Sequence, residues 1–189
     1  MKKVLVFAGS NSRQSINKQL ALYAASFLGK TPFTDVDLND FELPVFSVDR
    51  EKESGYPKKA KDFDALLESH DGYILSLAEH NGSYTAAFKN LFDWLSRIQV
   101  KVWRRKPMLL LSTSTGARGG ANVMEAALTR FPRHDAQIIS HLSVPSFNEN
   151  FHNHVITDSQ LQQTLVSAVL TFEQALLNPS GHSIGKNTQ

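Results

Sequence analysis

Three short stretches hold most of the residues able to do chemistry. The first is GSNSRQSIN, residues 9–17. An apolar run stops there and a helical pattern begins. Ser10, Ser12, Ser15 and Asn17 offer hydroxyl or amide donors, Arg13 a charged fork, and Ile16 is the first apolar residue of the pattern. Helix N-termini carry free N–H groups and partial positive charge, so they attract phosphate. Helix capping needs only one such residue; this stretch has several. It contains neither GxxxxGK nor GxGxxG, so a single phosphomonoester suits it better than a triphosphate or a dinucleotide.

The second stretch is AEHNGSY, residues 78–84. Glu79, His80, Asn81, Gly82 and Ser83 can hydrogen-bond a flat heterocycle through backbone and side chains. A turn at Asn81-Gly82 followed by a Ser83 or Thr85 cap is the plainer alternative. Glu79 and His80 are the nearest thing to an acid/base pair, but they have no third partner. The third stretch is STSTGARGG, residues 112–120. Thr113, Ser114, Thr115, Gly116 and Gly119 belong to a loop whose N–H groups can face a ring and stabilise negative charge. Glycine here also suits tight packing before a helix.

The elements that position these stretches follow from hydrophobic periodicity. Nearly unbroken apolar runs at 4–8, 73–78 and 108–113 suit strands covered on both faces. The mixed runs at 33–38 and 136–142 suit edge strands. Helical stripes lie between them: Ile16, Leu20, Tyr23 and Phe27; Phe63, Leu66 and Leu67; Tyr84, Phe88, Leu91, Leu95 and Ile98; Met124, Ala127, Leu128 and Phe131; Leu161, Leu165, Val169, Phe172 and Leu176. Strict alternation of strand and helix predicts an α/β fold: a flavodoxin-like three-layer sandwich with a five-stranded parallel sheet of order 2-1-3-4-5. Ligands bind at the carboxyl ends of such strands, near the point where the order reverses. All three stretches fall there. Residues 1–177 are expected to form one domain, with 178–189 as a tail without regular structure.

Composition narrows the function. The chain has no cysteine, which excludes disulfides, thiolate catalysis and cysteine-based metal sites. Net charge is +2, too weak to argue for nucleic acid without a basic face. The basic cluster KVWRRK (101–106) sits at the amino end of a strand, away from the expected site, and reads as solvated surface or a subunit contact. HNH (152–154) lacks an acid cluster and reads as a solvated loop. The first apolar run is shorter than the ~7–15 residues of a signal-peptide core, and no run approaches the ~18 of a membrane span. A soluble cytoplasmic protein is expected, with no membrane partner.

Together the three stretches resemble the NADPH-dependent FMN reductase family, over residues 1 to about 175. Gly9, Ser10, Ser15, Asn17, Leu20 and Ala21 match its first motif, with the arginine one place late at Arg13. Glu79, Asn81, Ser83, Lys89, Asn90, Asp93, Trp94, Ser96 and Arg97 match its second motif, with Ala78, His80, Thr85 and Ala86 as departures. Ser114, Gly116, Gly119 and Gly120 match its glycine-rich loop. The resemblance implies FMN, its phosphate on 10–17 and its ring against 78–83 and 113–119. It further implies NADPH or NADH as donor, a small-molecule acceptor such as a quinone, an azo compound or free flavin, and ping-pong turnover. A homodimer or homotetramer through the third and fourth predicted helices is implied too, with Trp94 serving either that contact or the core. A flavodoxin-type carrier and a flavin-free relative are the alternatives. The long connection 41–57 follows the second strand. It covers the flavin, reaches a neighbouring subunit's site, or seals the core through Leu43, Val45 and Phe46.

Overall fold

In the computed structural model, residues 1–178 are described. Five parallel strands, β1 (Val4–Gly9), β2 (Phe33–Val36), β3 (Gly72–His80), β5 (Pro107–Thr113) and β6 (Gln137–Val144), form the sheet in the order β2-β1-β3-β5-β6. A sixth, short strand, β4 (Ser83–Tyr84), turns back antiparallel on the end of β3. The five parallel strands thus take the 2-1-3-4-5 arrangement, and the hairpin strand is an addition. Helices α1 (Ile16–Ala25) and α7 (Ser159–Leu177) cover one face; Leu20, Ala24, Leu165, Val169 and Phe172 pack there on Val4, Val6, Ile74 and Leu109. Helices α3 (Lys58–Ser69), α4 (Ala86–Ile98) and α5 (Ala121–Arg130) cover the other. Phe63, Leu67, Phe88, Leu91, Met124 and Phe131 pack there on Leu5, Phe7, Leu75 and Leu110. The central strands are buried on both faces, which is why their sequences are continuously apolar.

The connection 41–57 is not irregular throughout. Helix α2 (Val48–Ser54) lies within it, capped by Ser47, whose Oγ accepts from the Arg50 N–H, and ended by Gly55 at φ 68°. It buries no residue, so no apolar stripe betrayed it. The HNH stretch is the tip of a second hairpin, β7 (Phe151–His152) with β8 (Val155–Ile156), joined by a short helix α6 (Phe147–Asn150) to the sheet. Asn153 and His154 take positive φ at its turn, the requirement of a two-residue hairpin loop. The segment KVWRRK is not simply solvated. Val102 and Trp103 are buried, Arg104 pairs with Asp64, and Lys106 donates to the Leu67 and Glu68 carbonyls. Burial and the neighbouring Arg104 hold the Lys106 pKa below its ordinary value. Trp94 is fully buried and donates from Nε1 to the Pro44 carbonyl at 2.8 Å, so it belongs to the core of this chain and not to a subunit contact. The segment expected to lack regular structure, 178–189, lies outside the described residues beyond Asn178.

His70 links α3 to β2. Its Nδ1 lies 2.8 Å from the Leu66 carbonyl, which can only accept, so Nδ1 carries the proton and Nε2 accepts from the Thr34 hydroxyl at 2.9 Å. Burial first, then the positive charges of Lys3 and Lys106, lower its pKa. A histidine with a depressed folded-state pKa supports the fold when neutral and ceases to as pH falls below about 6.5. Urea midpoints at pH 7.5 and pH 5.5 are expected to differ, and His70→Gln is expected to shrink that difference.

Candidate active site

The cradle begins where β1 ends. The loop 10–15 is a nest of short turns: Ser12 N–H donates to Ser10 Oγ at 3.2 Å, Gln14 N–H to Ser12 Oγ at 3.3 Å, and Lys18 N–H to Ser15 Oγ at 3.1 Å. Ser15 is the N-cap of α1. Each of the three hydroxyls therefore accepts one backbone N–H and keeps its own proton to donate. The N–H groups of Ile16 and Asn17 lie in the first helical turn, which has no preceding carbonyl for them. Lys18, one residue on, is drawn away to Asp37 at 3.0 Å and Asp35 at 3.3 Å. Burial opposes its charge, but these carboxylates outweigh burial and hold its pKa above the ordinary value.

The β3 end is shaped by the turn at Asn81 (φ 51°) and Gly82 (φ 74°), with His80 opposite Ser83. Two successive positive φ values are what an Asn-Gly hairpin supplies. Glu79 reaches away from the turn. Its carboxylate accepts from the Val123 N–H at 2.9 Å and from Asn122 Nδ2 at 3.3 Å. The N-cap of α5 is Gly120, which has no side chain to cap with; Glu79 does this from another strand, its charge favourable at the helix start. Tyr84 stacks on Phe131 with centroids 6.1 Å apart, and burial pushes its phenol up to about 12.

The β5 end is bolted to its neighbours. Thr113 Oγ1 donates to the Val144 carbonyl at 2.7 Å, and Ser112 Oγ to the Gly119 carbonyl at 2.8 Å. The Ser114 and Gly116 carbonyls accept from Phe147 and Ser146 N–H groups at 3.0 Å. Asn17, in the first turn of α1, ties β3 to β5. Its Oδ1 accepts from Ser76 Oγ at 2.7 Å and from the Thr113 N–H at 3.0 Å, and its Nδ2 donates to the Thr113 carbonyl at 3.1 Å.

The three stretches meet in an open cleft of about 240 Å³. Ser10, Ser12, Ser15, Ile16, Asn17, Glu79, His80, Thr113, Ser114 and Thr115 line it, together with Ala78, which sequence reasoning noted only as a departure from the family motif, and Gln14, which it did not single out. The structure gives several of the expected site residues contacts within the protein or places off the cleft wall. The Asn17 amide and the Thr113 side chain are spent on the protein. Gly119 is a packing residue: a Cβ there would stand 2.6 Å from the Val144 backbone. Arg13, Asn81, Gly82, Ser83 and Gly116 are exposed and lie off the cleft wall; the middle three build the hairpin instead. The Glu79 carboxylate is occupied at α5, so no free acid/base pair exists with His80. Among the described residues, no group of three or more His, Asp or Glu could hold a metal, and no helix is long and apolar enough to cross a membrane.

Comparison with known proteins shows the family and the fold. The model of the NADPH-dependent FMN reductase family matches residues 2–149. A 2-hydroxy-1,4-benzoquinone reductase of Burkholderia sp is 36% identical over 120 residues, a match spanning 63% of this chain and 64%, less than two thirds, of that protein. An NAD(P)H:quinone oxidoreductase of Solanum tuberosum is 27% identical over 195 residues, 95% of each. The solved structure of the flavoenzyme NAD(P)H:(acceptor) oxidoreductase FerB from Paracoccus denitrificans superposes with a TM-score of 0.75, covering 94% of this chain and 98% of its own at 22% identity, and so shares the fold.

Proposed function

The chain belongs to the NADPH-dependent FMN reductase family, and from that membership we propose that it binds FMN and passes electrons from NADPH or NADH to a small acceptor: a quinone, an azo compound or free flavin. The observation that carries the reading is the trio of serine hydroxyls with protons to spare around the start of α1. A dianionic phosphomonoester accepts such donors, and the helix end favours its charge. In this reading Ser10, Ser12 and Ser15 donate to the phosphate beside the Ile16 and Asn17 N–H groups. Ala78, His80, Ser114 and Thr115 flank the ring. FMN, when bound, supplies the hydride chemistry, and the protein supplies binding and orientation. Donor and acceptor take turns in this open cleft, hence ping-pong kinetics. The protein works in the cytoplasm as a homodimer or homotetramer joined through α4 and α5.

The test is spectroscopic. Protein incubated with FMN and desalted is expected to keep a flavin absorption band, to lose it on adding NADPH, and to regain it with a quinone. A colourless protein sinks the proposal. Ser12→Asp sharpens the test. Ser12 is exposed, and an aspartate can still accept the Gln14 N–H, so the fold is kept. A carboxylate there replaces a charge-assisted donor by a repulsive charge. FMN affinity is expected to fall on the order of 100-fold, while riboflavin, which lacks the phosphate, binds unchanged. Fluorescence titration of both flavins measures this.

A further inference from the structure

The basic stretch 101–106 has no part in the cleft, yet its backbone is strained. Trp103 to Lys106 form a tight turn, closed by the Lys106 N–H on the Trp103 carbonyl at 3.0 Å. Its two central residues, Arg104 at φ 53° and Arg105 at φ 56°, are both left-handed. Such turns favour Asn or Gly there, because other L-residues are disfavoured in that region. Arg104 has a reason to be present: its guanidinium pairs with Asp64, largely out of water. Arg105 has no such anchor. Its backbone N–H donates to the Asp135 carbonyl, which any residue but proline could do. Its side chain is 79% exposed and reaches only the Asp135 carboxylate, at 3.5 Å, which Lys101 holds more closely at 3.2 Å. Strain kept without a structural return points to function.

Arg105 lines a cavity of about 270 Å³ at the amino ends of β5 and β6, beside the last turn of α7. The cleft described above lies at the carboxyl ends of the same sheet, on the order of 20 Å away along β5. Pro107, Ile139, Ala175 and Leu176 make part of the cavity wall apolar. Lys2, Asp71, Arg105, Lys106 and Gln137 supply the polar part. Lys2 and Asp71 pair at 3.0 Å and offset each other. Arg105 and Lys106 remain. Lys106 is half-buried, and its ammonium donates to the Leu67 and Glu68 carbonyls, both at 2.7 Å. Carbonyl dipoles solvate that charge without neutralising it, and burial with Arg104 holds the Lys106 pKa down. A guanidinium and an ammonium beside an apolar wall select an anion with an apolar body, the guanidinium offering a carboxylate two parallel N–H groups. Asp71 and Asp135 stand close by, so the surplus charge suits one negative charge better than the two of a phosphate. We propose that this cavity binds a small organic carboxylate, with its carboxyl group on Arg105 and Lys106 and its apolar body against Pro107, Ile139 and Leu176. The proposal is independent of the flavin reductase reading.

The test is calorimetric titration of the full chain, at low ionic strength, with 2-naphthoate and with its uncharged analogue 2-naphthamide. Saturable binding of the acid is expected, with the amide at least about tenfold weaker. Two variants at exposed positions keep the fold. Arg105→Gly removes the guanidinium and relieves the left-handed φ, so Tm is expected to hold or rise while naphthoate affinity falls about tenfold or more. Gln137→Glu keeps the shape but sets a carboxylate in the wall, and a similar loss is expected. Saturating FMN is expected to leave naphthoate binding unchanged. No saturable binding, equal binding of acid and amide, or unaltered affinity in either variant overturns the proposal. So does displacement of naphthoate by FMN, which puts the acid in the other cleft. A lowered Tm in Arg105→Gly with naphthoate binding retained assigns the arginine to the fold and overturns it likewise.

Discussion

Asn17→Ala is expected to cost the fold about 3–5 kcal/mol, because it strands three buried polar groups at once, each worth ~1–3 kcal/mol when left without a partner. The side chain is 2% exposed, and Ser76 and Thr113 around it are as deeply buried. The Thr113 N–H and carbonyl would both lose the amide that serves them, and the Ser76 hydroxyl would lose its acceptor. Urea unfolding of the variant, read by tryptophan fluorescence, measures the loss. Asn17→Asp separates the parts. The carboxylate still accepts from Ser76 and Thr113 N–H, but it cannot donate to the Thr113 carbonyl and brings a buried charge against it. It is expected to be destabilised as well. Were Asn17 chiefly a phosphate ligand, Asn17→Ala would leave the apoprotein's stability nearly unchanged and weaken only FMN binding.

The second large effect is expected at Gly119. An alanine there takes φ +56°, a left-handed conformation that costs an L-residue ~1–2 kcal/mol. Its Cβ also meets the carbonyl carbon and oxygen of Val144 at 2.6 Å, and backbone cannot swing aside as a side chain can. Either β6 moves or the 113–119 loop does. The Ser112–Gly119 bond at 2.8 Å is then strained too. A total of roughly 2–4 kcal/mol is expected, seen as a Tm lowered by roughly 4–16 °C for a chain of this size. The displaced loop carries Ser114 and Thr115, so FMN affinity is expected to fall in the same variant. Gly116→Ala is the control: a Cβ there finds only Ser114 Oγ at 3.8 Å, and little change is expected.

These two glycines and Asn17 show what a sequence discloses and what it withholds. The parallel strands were legible because burial on both faces leaves VLVF, YIL and LLL almost wholly apolar and without charge. The helices with a buried stripe were legible for the same kind of reason. Helix α2 was not, because none of its residues is buried and only its caps mark it. Convergence of the three loops followed from strand order. The division of labour among their residues did not. Ser15 and Asn17 look alike as donors two positions apart, yet one faces the cleft with a proton to give while the other faces Thr113. Glu79 resembled a ring ligand or an acid; only the three-dimensional neighbourhood reveals that Gly120 leaves a helix start in need of its carboxylate. The roles of Asn17 and Glu79 are fixed by partners far away in the chain, which local spacing does not encode.

The nested serine turns at the start of α1 have a kinetic corollary. Because every lone pair engaged there is engaged by the loop's own backbone, the hydroxyl hydrogens are steered outward before any anion arrives. In the proposed reading nothing has to be unmade to admit the phosphate, and little ordering entropy remains to be lost. Capture then resembles docking into a rigid socket, with cofactor residence time governed by escape and not by a slow refolding of the loop.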